Sequence, residues 1–286
     1  MRFLILTNWG KENAEPCTRR MIRELCLLGG EVFLPEDHRG LLTAEDGVSF
    51  GVTEELMRCC DMVVSIGGDG TLIHAAKAAV LYDRPILGVN TGRLGFLTHM
   101  EPNELSGLKR LFSGDYLIED RMMLEVVRLE PSGKESRFTA LNDVVLSRGS
   151  LSRIIDLSID CDGRPVSRYR ADGLIFSTPT GSTAYSLSAG GPIIEPSMEC
   201  IVMTPICPHS LYARTVVYTP DRTIGVQASF ESMNEAYVTI DGAEGFALSA
   251  EDRLFVSKAD RSVKLIRFDR TFFEILSEKF IDHSNS

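Results

Sequence analysis

Gly67-Gly68-Asp69-Gly70-Thr71 sets one carboxylate among three glycines, between an apolar run (61–66) and a helical pattern. Glycine-rich loops between a strand and a helix hold phosphate, because free backbone N–H groups point at it. A carboxylate at the tip of such a loop has two chemical uses. It binds Mg²⁺, directly or through water, and so faces phosphate only through a cation. Or it faces a hydroxyl, accepts its proton and makes it a nucleophile toward phosphorus. No lysine follows the glycines, so this is not the GxxxxGK[ST] phosphate loop. The plain alternative is a strand-to-helix turn in which Asp69 is only a cap.

Two further stretches join it. Another apolar strand ends in Asn90, Gly92, Arg93 and Gly95, which resembles a dinucleotide fingerprint with its first glycine replaced. Arg93 offers charge to a phosphate, or is a solvated surface arginine. The third stretch (171–193) packs seven serines and threonines between Ser177 and Ser188, followed by Gly190-Gly191. A hydroxyl-dense loop with few charges suits phosphate, ribose and base hydrogen bonds. Ser182 is expected to N-cap a short helix over about 183–189 and to aim its amides at an anion.

The elements that position these loops are read from periodicity. Strands are expected at 2–8, 31–35, 61–66 and 85–89. They alternate with helices at 14–28, about 53–59, about 71–81 and 102–112. Strands apolar on both faces and alternating with helices make a parallel sheet covered on both sides. Both glycine loops then leave carboxyl ends of strands in one sheet, the edge at which open α/β sheets bind ligands. The rhythm changes near Tyr116. "SRFTALNDVVLSR" and "RPVSRYRADGLIFST" each read as one strand among several, with Asp162-Gly163 as a tight hairpin turn. This is an antiparallel all-β region, read as a sandwich. A final helix, 270–280, carries an apolar face and is expected to pack back on the first domain. The boundaries are 1–115, 116–267 and a returning helix at about 268–286.

The net charge of −10 lacks the basic balance that nucleic-acid binding uses. No apolar run is long enough to span a membrane. The first ten residues read as a strand, without the long apolar core and small-residue cleavage site of a signal peptide. The seven cysteines include no CxxC pair, so reduced core thiols are expected rather than disulfides or zinc. Cys207 and His209 flank Pro208 with no supporting pattern and are not read as a catalytic pair.

Taken together, "GGDGT" (67–71), "NTGRLGFL" (90–97), "NDVVL" (142–146) and "DGLIFSTPTGSTAYSLSAGGPI" (172–193) resemble the NAD kinases. "TPICPHSL" (204–211) and "TIDG" (239–242) match as well. GGDGT alone is shared with diacylglycerol and sphingosine kinases; the long third motif is far more specific. The resemblance covers essentially the whole chain. It implies a Rossmann-like parallel-sheet N-terminal domain and an antiparallel β-sandwich C-terminal domain. It also implies phosphorylation of the adenosine-ribose 2′-hydroxyl of NAD⁺ by ATP or polyphosphate. A divalent metal, Mg²⁺ first, is expected with ATP near Asp69, with no ligand cage of protein side chains alone. A cytoplasmic homodimer or homotetramer is expected, acting on NAD⁺ and ATP, with no nucleic-acid or membrane partner.

The resemblance further implies site residues. Asp69 is the base or orienter of the hydroxyl. Gly68, Gly70, Thr71, His74, Asn90 and Thr180 are substrate contacts. Asn142 and Asp143 are the pair that meets the substrate. Thr183, Ala184, Tyr185, Ser186, Leu187 and Ser188 lie around adenine and its ribose. Asp172 reaches the nicotinamide end, often from a neighbouring subunit, and Arg153 and Arg170 fall at ligand-contacting positions. Two departures stand out. The family's usual Asn-Glu is Asn142-Asp143 here, shorter by one bond of about 1.5 Å. Its late "DGQ" reads Asp241-Gly242-Ala243, which lacks the amide. Two rivals remain: a lipid kinase of the diacylglycerol kinase type, and a non-catalytic NAD(P) sensor on the same fold. The first should show apolar or basic membrane-directed surface; the second gains nothing from a carboxylate close to phosphate.

Overall fold

A computed structural model describes residues 1–42, 47–92, 95–149, 154–229 and 236–280. The chain divides into two compact units: Met1–Asp120 with the chain from Val263 onward, and Arg121–Ser262.

The first unit alternates strand and helix: β1 (Arg2–Thr7), α1 (Ala14–Leu27), β2 (Glu31–Pro35), β3 (Val48–Gly51), α2 (Thr53–Cys59), β4 (Met62–Gly67), α3 (Asp69–Leu81) and β5 (Ile86–Asn90). Its parallel strands run in the order β5-β4-β1-β2-β3. Every residue of β4 and β5 is buried, as continuous apolar strands covered on both faces require. Cys17, Met21, Ile22 and Leu25 give α1 its buried stripe. Strand β3 was not legible, because "VSFG" is too short to show alternation after a polar stretch. The 102–112 helix is a 3₁₀ segment, Pro102–Leu108, running into α4 (Lys109–Ser113). A capping box between Glu101 and Glu104 starts that segment.

Helix α3 begins at Asp69, two residues before the expected Thr71. Leu72 N–H donates to Gly68 O at 3.1 Å, which closes the first turn around Asp69. The carboxylate therefore stands in the first helical turn, where the helix dipole favours negative charge.

The second unit is antiparallel. Its strands are β6 (Leu117–Leu129), β7 (Glu135–Ala140), β8 (Asp143–Arg148), β9 (Ile155–Cys161), β10 (Arg164–Ala171) and β11 (Gly173–Ser177). A short helix, α5 (Tyr185–Ser188), follows. Then come β12 (Ile201–Ile206), β13 (Val216–Tyr218), β14 (Ile224–Ser229), β15 (Ala236–Ile240), β16 (Glu244–Leu248) and β17 (Arg253–Arg267). One sheet runs β13-β12-β11-β8-β15-β16; β10-β9-β14-β17 belong to the other. Leu157, Ile159 and Val226 from one sheet share a core with Leu174, Phe176 and Val238 from the other. This is the packing of a sandwich. Asp162 and Gly163 both take positive φ, 52° and 76°, as a two-residue hairpin turn demands.

Two expected single strands are each two. The 136–148 stretch breaks at Leu141-Asn142 into β7 and β8, and the 164–178 stretch breaks at Asp172 into β10 and β11. The halves join different sheets. After β17, α6 (Phe272–Phe280) buries Phe272 and Ile275, and the Phe272 ring lies 6.1 Å from that of Phe96.

Candidate functional site

Strands β4 and β5 are neighbours, with Gly67 opposite Asn90, so their two loops leave at the same level. Thr91 N–H donates to Gly67 O at 2.9 Å and joins the loops at the root. Asn90 turns the second loop by accepting Gly92 N–H on Oδ1 at 3.0 Å. The loop then returns along β5, where His99 N–H donates to Gly88 O and Asn90 N–H to Met100 O.

Asp69 holds the returning limb. Its Oδ2 accepts the Phe96 N–H at 2.8 Å; its Oδ1 accepts the Leu97 N–H and the Thr98 hydroxyl, each at 3.3 Å. The carboxylate is half-buried. Gly95 is what allows this: a Cβ there would fall inside the Asp69 carboxylate. Gly67 is constrained likewise by the Thr71 side chain, whose hydroxyl accepts from Asn8 Nδ2 at 3.2 Å. At Gly68 and Gly70 a Cβ would meet nothing within 4 Å. Two glycines thus serve the chain's own packing, and two face open space. His74 is exposed one turn further along α3, while Asn90 is buried. Arg93 lies outside the described residues.

The second unit builds a similar nest. The Asp241 carboxylate accepts N–H groups from Leu141 (3.0 Å), Asn142 (2.7 Å) and Asp143 (3.2 Å), and Asp241 N–H returns a bond to Asp143 O. Asp143 is buried beside it. Burial first, and the Asp241 charge second, push its carboxyl up to about 7. Asn142 Oδ1 is buried with no hydrogen-bond partner among the described residues. The hydroxyl-rich loop docks here: Thr178 Oγ1 donates to Leu141 O at 2.6 Å and accepts Gly181 N–H at 3.0 Å. Gly181 has no room for a Cβ against the Asn142 carbonyl.

Ser182 is not a helix cap. Its hydroxyl donates to Pro179 O at 2.6 Å and accepts Ile194 N–H at 3.0 Å, closing the loop on itself. The expected 183–189 helix is a 3₁₀ turn, Thr180–Thr183, then α5, separated at Ala184 by its backbone angles. Such short pieces form no anion-binding helix terminus. Ser186 is fully buried, with its hydroxyl 2.9 Å from that of Thr204. Thr180 is buried and accepts from Arg121 Nη1 at 3.3 Å. Thr183, Ala184 and Leu187 are half-buried, and Tyr185 and Ser188 are exposed. Asp172 pairs with Arg148 at 2.8 Å. It sits at the far end of the β8–β11 pair from Asp143, five residues or about 17 Å along the strand. Arg170 forms an exposed pair with Asp156 at 3.3 Å. Arg153 lies outside the described residues.

Asp241's anchoring role and the buried Arg121 were missed from sequence. The signal for Asp241 was the Asp-Gly turn after β15; for Arg121 it was one cation heading an apolar strand.

Comparison with known proteins agrees along the whole chain. Models of the ATP-NAD kinase N-terminal and C-terminal domains match residues 3–116 and 141–268. An NAD kinase of Lachnoclostridium phytofermentans is 40% identical over 98% of this chain and 99% of its own. One of Acetivibrio thermocellus is 38% identical over 99% and 98%. Among solved structures, yeast NADH kinase complexed with NADH shares the fold, with TM-score 0.89 at 24% identity over all of this chain and 89% of that one. An NAD kinase from Archaeoglobus fulgidus in complex with ATP gives TM-score 0.71 at 27% identity over 97% and 99%. Identity of this depth across both units means that the chain belongs to the NAD kinase family.

Proposed function

We propose that the chain transfers a phosphoryl group from ATP to the adenosine-ribose 2′-hydroxyl of NAD⁺, giving NADP⁺ and ADP. Membership of the NAD kinase family makes it a kinase with an alcohol acceptor. The observation that carries the residue assignment is Asp69: a half-buried carboxylate fixed by three donors, beside two glycines that face open space.

A carboxylate has about four acceptor sites. Phe96, Leu97 and Thr98 take three of Asp69's, and the one left on Oδ2 receives the ribose hydroxyl. Phosphoryl transfer asks for alignment and charge neutralisation more than for early proton removal. The hydroxyl oxygen forms the new P–O bond, and the bond to the leaving ADP oxygen breaks with its electron pair. The proton passes late to Asp69. Gly68 and Gly70 let the donor's phosphates approach the first turn of α3, whose N–H groups favour anions. Asn142, Asp143 and the 180–188 loop hold the adenosine end of NAD⁺, and Asp172 its nicotinamide end.

Among the described residues no three His, Cys, Asp or Glu side chains come together. Asp69 has only one acceptor site to spare, so these residues do not form a protein-held cation site. A divalent ion accompanying ATP would neutralise charge on the donor's phosphates near Asp69. Homodimers or homotetramers acting in the cytoplasm complete the proposal. Polyphosphate as donor is the second reading within it.

The test is a product assay with NAD⁺ and NADH against ATP and polyphosphate, read by a dehydrogenase specific for NADP⁺. ATP-dependent NADP⁺ formation is expected. Binding of NAD⁺ with no NADP⁺ formed over hours overturns the assignment in favour of a sensor.

A further inference from the structure

The limb that fixes Asp69 is itself fixed from two sides. Leu97 and Thr98 are buried, and Thr98 Cα lies so close to β5 that a Cβ on Gly88 would stand 3.1 Å from it. These two residues seat the limb on the sheet. Gly95, one step before Phe96, brings no side chain to hold it. Phe96 is half-buried, and its ring meets α6.

Phe272 and Lys279 are seven residues apart on α6, about two turns, and so share one face of the helix. Both meet the Phe96 ring. The Phe272 ring lies at 6.1 Å between centroids, tilted by 39°, and the Lys279 ammonium stands 4.5 Å from the Phe96 centroid. The first distance is that of an aromatic pair and the second that of a cation–π contact. The Phe96 N–H, on the same residue, donates to Asp69 Oδ2 at 2.8 Å, the shortest of the three bonds on that carboxylate. The place of the ring and the place of Oδ2 are therefore set together. Helix α6 is anchored without help from Phe96. Thr271 and Glu274 cap each other's N–H groups at 3.3 and 2.6 Å, as a capping box does. Arg110 of α4 holds Asp269 just before the helix at 3.0 Å, and Ile275 is fully buried. A seated helix face can fix a ring on a glycine-flanked loop; the reverse does not hold.

We propose that Phe272 and Lys279 are positioning residues for the phosphoryl transfer: they hold the Phe96 ring, the Phe96 N–H follows, and Asp69 Oδ2 is aimed at the acceptor hydroxyl. Helix α6 thus belongs to the catalytic alignment and acts through residue 96. This rests on the kinase assignment above. Alignment of this kind acts in the transition state, so its loss lowers kcat and leaves KM in place.

Four variants of the full chain test it. Phe272→Leu keeps apolar bulk and removes the ring. Lys279→Gln removes the charge, and Lys279→Arg keeps it. Ser277→Gly loosens α6 at an exposed position. Phe272→Leu should lower kcat about tenfold or more and Lys279→Gln about threefold, with the KM values for NAD⁺ and ATP within about twofold. Lys279→Arg should restore kcat to within about twofold of wild type. Ser277→Gly should lower the melting temperature and leave kcat unchanged. Hydrogen exchange of the Phe96 and Leu97 amides reads the same alignment without catalysis. It should quicken several-fold in Phe272→Leu and Lys279→Gln alone. The proposal is overturned if kcat is unchanged in both of these variants, whatever the exchange shows. It is also overturned if Lys279→Arg loses as much rate as Lys279→Gln, or if Ser277→Gly loses as much as Phe272→Leu. Wild-type protein that makes no NADP⁺ from any donor sinks the kinase assignment instead, and exchange of the two amides still judges whether α6 holds the limb.

Discussion

Asp69 and Asp241 use one device in two units. Each is an aspartate that accepts three hydrogen bonds from a loop distant in sequence: residues 96–98 for Asp69, and residues 141–143 for Asp241. A carboxylate bonded this way acts as an internal anion for the loop's N–H groups, and charge-assisted bonds are about twice as strong as neutral ones. Their neighbours differ. Beside Asp69 lie two glycines open to space and no other acid among its hydrogen-bond partners. Beside Asp241 lies a second carboxyl, Asp143, buried and pushed up to about 7. The first nest leaves its carboxylate a site for a reacting group; the second spends its charge on holding a strand break together.

The sharpest way to break this comparison is Asp69→Asn. The amide keeps the shape, but its NH₂ must face an N–H donor, and it cannot take a proton. Turnover should fall by about 10³-fold or more, as expected for loss of both orientation and proton acceptance, with NAD⁺ affinity retained in a direct binding measurement. Near-normal kcat would remove Asp69 from the reaction. Gly95→Ala tests the same carboxylate without altering it. The new methyl group displaces Asp69 from the 96–98 limb, and a misplacement near 1 Å costs about 10²-fold. A lower melting temperature is expected as those bonds weaken, with a rate loss measured on the folded protein well below that temperature. A lowered melting temperature with a normal rate in the folded protein would make the contact structural only.

Asp241→Ala should behave in the opposite manner. Three N–H groups lose a charged acceptor, each bond worth about 1.5–3 kcal/mol and not additive. A loss of about 3–5 kcal/mol in the second unit is expected, measured by denaturant unfolding. A stability loss below about 1 kcal/mol would show that water replaces the carboxylate, and that Asp241 does not hold the break between β7 and β8.

Much of this architecture is legible from the residues. Continuous apolar runs such as "MVVSIG" mark internal parallel strands, and the glycine loops mark the edge where they end. Neither strand break was legible. "SRFTA" and "DVVLSR" have the same strand-forming composition on either side of Leu141-Asn142. What divides them is the Asp241 carboxylate, about a hundred residues later, which no local pattern encodes. Ser182 misled for a related reason. A serine before a short apolar stretch is the signature of a cap, but its hydroxyl is spent on Pro179 and Ile194. Asp69 was legible as a carboxylate in a glycine loop. That Gly95, from another motif, makes the space for it was not, because spacing in sequence carries no information on that contact.

The smallest effect, and the one that separates the two nests most cleanly, is pH dependence. Asp143 has an ordinary value of 3.8 in the unfolded chain and about 7 in the folded one, chiefly from burial. Below the lower value both states hold the proton, and burial of the carboxyl costs nothing by this route. Between the two values the unfolded chain ionises while the folded chain keeps its proton, so stability falls as pH rises. Above about 7 the loss is complete. Over the two pH units from 5 to 7 the slope amounts to roughly 2–3 kcal/mol. Asp143→Asn keeps the shape of the protonated acid and cannot ionise. Denaturant unfolding at pH 5 and pH 8 should show wild type losing more stability than the variant over that interval, on top of the part already lost between 3.8 and pH 5. Equal losses would mean that Asp143 is ionised and compensated in the folded chain. The second nest would then hold two charges, as the first holds one, and the contrast between them would no longer rest on protonation.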